Sequence, residues 1–205
     1  MFTLFARHWV LILVWGIILG AAACAVTFLF PQYYSAETKV LIISRDRSGV
    51  DPYTQAKSAE RIGENLAALM STTDFYNKTM ENAPASGVDV SVWQGLSERD
   101  QRKNWEKQVV GGVVYGQSLL DILVYDRTPA KAAALSDAVT KTMVARGAEY
   151  VGGDVSIKQV DSALVSRFPA RPNALLNGAA GLAVGVLLAA WWVIRYKHNG
   201  LFYKA

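Results

Sequence analysis

Trp9 to Phe30 reads WVLILVWGIILGAAACAVTFLF, a run of 22 residues without a charged side chain. At 1.5 Å per residue a helix of that length covers a hydrocarbon core of about 30 Å. A second run, ALLNGAAGLAVGVLLAAWWVI from Ala174 to Ile194, has 21 residues and is also uncharged. Both are expected to be transmembrane helices, and they account for a hydrophobic content of 52%, high for one soluble domain. The first run is longer than the roughly 7–15-residue apolar core of a signal peptide, and no small-x-small cleavage pattern follows Phe30. Cys24 lies inside this run with six more uncharged residues after it, which favours a helix-packing cysteine over a lipid anchor.

The net charge of +4 is unevenly placed. Residues 31–173 hold 17 basic and 17 acidic side chains, whereas Arg7, Arg195, Lys197 and Lys204 stand at the ends with no acid beside them. Short basic flanks stay on the cytoplasmic side of a membrane, while long loops are translocated largely regardless of charge. Residues 1–8 and 195–205 are therefore expected to be cytoplasmic tails, and residues 31–173 to form an extracytoplasmic domain. That domain is neutral and has no basic stripe, so nucleic acid is not expected as a partner.

Within the spans, Gly16 and Gly20 form one GxxxG and Gly181 and Gly185 another. Such small-residue faces let helix backbones approach closely in lipid. Two outcomes stand equally: the two helices pack on each other, or each meets a neighbouring subunit. Trp9, Trp15, Trp191, Trp192 and Tyr196 suit anchoring at the lipid–water interfaces.

The long loop alternates strand and helix signals. Tyr34–Ser44 (YSAETKVLIIS) reads as a strand, Asp51-Pro52 breaks the chain, and apolar residues at three- and four-residue steps from Thr54 to Met70 mark an amphipathic helix. A short helix is expected over Thr73–Glu81 with Phe75 and Met80 inward. Pro84–Gly87 reads as a loop, and Val88–Gly95 fits no single element. Ser97-Glu98-Arg99-Asp100 opens a charged helix reaching about Lys107, whose alternating charges read as a solvated face. Val109–Tyr115 and Leu119–Tyr125 form a hairpin around Gly116-Gln117-Ser118, with a bulge expected at Gly111-Gly112. Thr128-Pro129 starts a helix that runs to Tyr150 and stops at Gly152-Gly153. A last strand covers Val155 to about Val160. The order predicts an α+β domain of the ferredoxin-like, split βαβ type.

Catalysis is not expected. Residues 31–173 contain no histidine and no cysteine, which removes Ser-His-Asp, Cys-His and Cys/His zinc chemistry from the loop. Asp121, Asp126, Asp154 and Asp161 flank strands, where aspartates commonly serve turns. No cofactor and no metal are expected. Asn77-Lys78-Thr79 matches a glycosylation sequon, a pattern frequent by chance. From Val160 the chain reads VDSALVSRFPARPN to Asn173, and its two prolines, three residues apart, predict a stiff, extended lead into the second span.

The layout resembles the Wzz-type chain-length determinants, or polysaccharide co-polymerases. The likeness rests on a span followed by Tyr34-Ser35-Ala36, on Ile122–Pro129 with Ala132-Ala133, on the strand end Val160–Ala163, and on Pro169-x-x-Pro172-Asn173 before a small-residue span. Pro169 and Pro172 match the last two of the family's three prolines, and Ser166 stands where the first is expected. The chain lacks the long external helix of larger members and any tyrosine-kinase domain. The resemblance implies a non-enzymatic, two-pass protein of the bacterial cytoplasmic membrane whose periplasmic domains self-assemble. Acting with a polysaccharide polymerase or exporter, such an assembly governs the length or export of a surface polysaccharide. The missing parts and the GxxxG faces also fit a scaffold subunit that reuses the fold within a larger photosynthetic or respiratory complex. Expected partners are thus membrane lipid and other membrane subunits.

Overall fold

A computed structural model describes residues 2–44, 51–152 and 155–198, with backbone alone at 2–7, 44, 52 and 196–198. Gly153, Asp154 and Lys204, singled out above, lie outside the described residues, as do the side chains of Arg7, Tyr196 and Lys197. The chain divides into two units, residues 1–32 with 169–205, and residues 33–168.

The first unit is a pair of helices. α1 spans Phe2–Thr27, with its helical path interrupted at His8 (φ −116°, ψ 16°). α7 spans Ala174–His198 and packs along α1. Within them, His8–Thr27 and Ala174–Arg195 are long and apolar enough to cross a membrane.

The second unit is an α+β domain built on one antiparallel sheet. Its elements are β1 (Tyr34–Ser44), α2 (Pro52–Leu69), α3 (Thr73–Asn82), a 3-10 turn (Ala83–Ser86), α4 (Ser91–Gln94), α5 (Glu98–Gln108), β2 (Val109–Val114), β3 (Leu119–Asp126), α6 (Pro129–Val151), β4 (Val155–Gln159) and β5 (Leu164–Val165). The strand order is β2-β3-β1-β4, and β5 also pairs with β1. Local chemistry sets the helix ends. Asp51 caps α2 by accepting from the N–H of Tyr53 and Thr54, Ser97 caps α5 by accepting from Asp100 N–H, and Thr128 caps α6 by accepting from Lys131 N–H. Asp51-Pro52, read as a chain break, is therefore a helix start with proline in the first turn. Gly152, at φ 90°, closes α6 in the left-handed region that glycine enters without a Cβ penalty.

Alternation fixes which face of the sheet is covered. Ala36, Thr38, Val40 and Ile42 on β1, with Leu120, Ile122 and Val124 on β3, are all at most 2% exposed. α2 and α6 pack on that face and complete the core with Leu66, Met70, Leu135, Val139 and Met143. Trp105 of α5, Trp93 of α4 and Tyr76 of α3 form an aromatic cluster with centroids 5.3–6.1 Å apart, and Trp105 Nε1–H donates to Met70 O at 2.7 Å.

Several sequence expectations need correction. No bulge forms at Gly111-Gly112: pairing runs unbroken from Val109↔Val124 to Val114↔Leu119. Gly111 is instead a point of close approach, because a Cβ there would lie 2.8 Å from Met70 Sδ and 3.0 Å from Ala67 Cα. In α3 the buried side chains are Phe75, Tyr76 and Thr79, with Met80 partly covered. Thr79 donates to Phe75 O at 2.9 Å from a fully buried position, so the sequon's hydroxyl is already engaged. The ambiguous segment Val88–Gly95 contains the single turn of α4, and Pro84–Gly87 lies largely in the 3-10 turn.

Candidate functional site

Each sequence-predicted feature belongs to one of three local structures: the helix pair, the lead into α7, or the sheet edge at Val160–Ser166.

In the helix pair the four glycines face one another within the chain. A Cβ at Gly185 would lie 2.8 Å from both Gly16 Cα and Trp15 O, and one at Gly181 would lie 2.6 Å from Ala23 Cβ and 2.8 Å from Leu19 O. A Cβ at Gly16 would meet Val186 Cγ2 at 2.8 Å, and one at Gly20 would meet Gly178 O at 3.1 Å. The backbones thus approach as closely as glycine permits. A polar contact that periodicity did not reveal lies at the Thr27 end. Thr27 Oγ1 donates to Ala23 O at 2.8 Å and accepts from Asn177 Nδ2 at 3.1 Å. Trp9, Trp191 and Trp192 are outward-facing, and the Arg195 guanidinium lies 5.6 Å from the Trp191 ring centroid, within cation–π range.

In the lead, Asn173 caps α7, its Oδ1 accepting from Leu175 N–H and Leu176 N–H at 3.1 Å each. Pro169 and Pro172 do not form one extended rod. The backbone bends at Arg167–Phe168 and again at Pro172, and the Arg171–Pro172 bond is cis. Two prolines restrict the residues before them but leave the intervening backbone free to turn.

At the sheet edge, β4 and β5 both pair with β1, but out of step. Val40 faces Gln159, whereas Ala36 faces Val165, so Val160–Ala163 carries two extra residues, with Val160 N–H and Asp161 N–H both directed at Lys39 O. Ala163 lies in this bulge. Just beyond it, Ser166 N–H donates to Ser35 O at 2.8 Å and Ser166 Oγ accepts from Ser35 N–H at 3.0 Å.

Several of the domain's described charges are paired. Lys39, on the uncovered sheet face, meets Glu37 at 2.8 Å and Asp121 at 3.1 Å, and these two, Glu37 first, push its amine up to about 12. Glu60 accepts from Lys57 at 2.8 Å and from Gly116 N–H at 2.7 Å, which hold its carboxyl below the usual carboxylate range, Lys57 foremost. Lys78 bridges Asp74 at 3.1 Å and Glu149 at 3.3 Å and lies over the Tyr150 ring, while the Tyr150 hydroxyl donates to Asp74. These groups neutralise one another within and between elements. Among the described residues no group of three or more His, Cys, Asp or Glu is placed to hold a metal ion.

Residues 1–82, less than half of the chain, match the family model described as Wzz, chain length determinant protein. The matched stretch comprises α1, β1, α2 and α3, so the family resemblance read from the sequence is borne out there, whereas Ala163, Pro169, Pro172 and Asn173 lie beyond it. No curated protein matches the chain.

Proposed function

We propose that this chain is a non-enzymatic, compact chain-length determinant of the bacterial cytoplasmic membrane. In this reading His8–Thr27 and Ala174–Arg195 cross the bilayer, both tails are cytoplasmic, and residues 31–173 face the periplasm. Copies assemble through that domain and the helices, and the assembly, working with a polysaccharide polymerase or exporter, regulates the length or export of a surface polysaccharide. The observation that carries the proposal is the Wzz match over residues 1–82, on an apolar helix that leads directly into a sheet. The second apolar helix after β5, the charge bias toward the two ends, and a loop without histidine or cysteine support it. The order β2-β3-β1-β4, with helices between β1 and β2 and between β3 and β4, favours the ferredoxin-like reading of the domain.

Deleting the gene and resolving the surface glycans by gel electrophoresis tests the function. A shifted or broadened length distribution, restored by the wild-type chain, is expected, and an unchanged distribution refutes it. The match stops at residue 82, which keeps a second reading, a scaffold subunit of a larger membrane complex. Purification from native membranes in mild detergent separates the two. A homo-oligomer supports the length regulator, and co-isolation with pigment- or redox-carrying subunits supports the scaffold.

A further inference from the structure

α5 is anchored from one side. Trp105 is 1% exposed and hydrogen-bonded to Met70 O, while Glu98, Arg99, Arg102, Lys103 and Glu106 recur at three- and four-residue steps along the flank beside it and are all exposed. These five side chains border an open surface hollow of about 450 Å³. Lys39, Lys57, Lys78, Lys141 and Arg146 are each engaged by a carboxylate. Arg99, Arg102 and Lys103, like Arg61, Arg127, Lys131, Lys158 and Arg167, are in no ion pair among the described residues, but these three share one hollow, which Glu98 and Glu106 also border. Asp100, the remaining acid of this segment, is committed to the cap, where Ser97 Oγ–H donates to its Oδ2 at 2.7 Å.

We propose that this hollow is a binding site for an anionic glycan, with Arg99 and Arg102 gripping a sugar carboxylate or phosphate and Lys103 adding a third cation. Two guanidiniums one turn apart present planar donor forks suited to such groups, and Lys103 supplies a point charge beside them. Glu98 and Glu106 border the cations, disfavour a second anion close by, and leave acceptors for sugar hydroxyls. The inference rests on the polysaccharide reading above and narrows it to a charged polymer contacted at α5.

The test uses the full-length protein in detergent, with polygalacturonate, uncharged dextran and phosphatidylglycerol vesicles as probes. Wild type is expected to bind polygalacturonate in a salt-sensitive manner and to ignore dextran. The R99Q/R102Q/K103Q variant should bind about tenfold more weakly, and R102Q alone, should the triple variant misfold, about threefold more weakly. K131Q, an exposed lysine on α6, should bind as wild type does. Equal binding by the triple variant, an equal loss in K131Q, binding of dextran as strong as that of polygalacturonate, or a preference for the vesicles would each overturn the proposal. A null result here combined with an altered glycan length on gene deletion discards this site alone.

Discussion

Cys24 provides a ruler for the helix pair. A Cβ built at Gly178 would lie 3.7 Å from Cys24 Cβ, inside the roughly 3.5–4.5 Å window that disulfides require. Gly178→Cys should therefore form an intrachain disulfide with Cys24 when membranes are oxidised, and the product should migrate as a monomer with both thiols protected from maleimide. Adding Gly185→Val should weaken the link. The new Cβ would meet Gly16 Cα and Trp15 O at 2.8 Å, about 1 Å inside comfortable carbon contact, and both obstacles are backbone atoms that cannot rotate aside. Overpacking of this kind costs about 1–3 kcal/mol. If that cost falls on the paired state, the ratio of closed to open helices drops about 5- to 150-fold, and the initial rate of disulfide formation falls as the open state becomes populated. Two outcomes refute the reasoning: a covalent dimer in place of the protected monomer, which would mean that the glycine faces meet between chains, or an unchanged rate with Gly185→Val.

Gly111→Val should lower the unfolding temperature of the purified protein by the equivalent of about 1–3 kcal/mol, because Met70 and Ala67 occupy the space its side chain needs. Gly112→Val, next to it, meets nothing within 4 Å and should change little, so similar melting curves for the two would contradict the packing described for α2. Thr38→Val should cost about 1–3 kcal/mol by leaving the fully buried Ser136 hydroxyl without its 2.8 Å partner, and adding Ser136→Ala should recover part of that loss in chemical denaturation. The depressed Glu60 carboxyl contributes stability that is present above its unfolded value and is lost as pH falls through its folded one. Glu60→Gln should therefore flatten the fall in melting temperature below about pH 4.5, and an acid limb of unchanged slope would show that the Lys57 and Gly116 contacts contribute nothing.

What the sequence revealed and what it hid divide by range. Thr128-Pro129 before an apolar periodicity, Ser97 three residues before Asp100, and Gly152 after Val151 specify helix ends through neighbours a few residues away, and each was legible. The hairpin strands and the two apolar helices were legible for the same reason. Thr38–Ser136, Thr27–Asn177 and Ser35–Ser166 join residues 98, 150 and 131 positions apart, and no spacing rule announces such pairs. Gly111 was misread because glycine serves both bulges and close approaches, and only the arrival of Met70 and Ala67 decides between them. β5 was missed because two residues carry no periodicity. Of the candidate site, the cations of α5 were visible as an alternating charge run. That Arg99, Arg102 and Lys103 go unpaired while Asp100 is taken by the cap depends on rotamers, which the order of residues does not encode.

The bonds between Ser35 and Ser166 bear on how the domain would take mechanical load. They lie where the domain's first strand begins and its last pairing ends, so both ends of a long chain segment meet at a single rung. Force drawn through those two ends would strain this rung first and open the ladder one rung at a time, through Ala36–Val165 and Glu37–Leu164 to the bulge at Val160–Ala163. A sheet pulled in that geometry resists far less than one sheared along its strands, whereas the core between α2 and α6 would feel the pull last. Substitutions at Ser35 or Ser166 would thus tune the force at which the domain begins to peel and leave its resting stability mostly to the core.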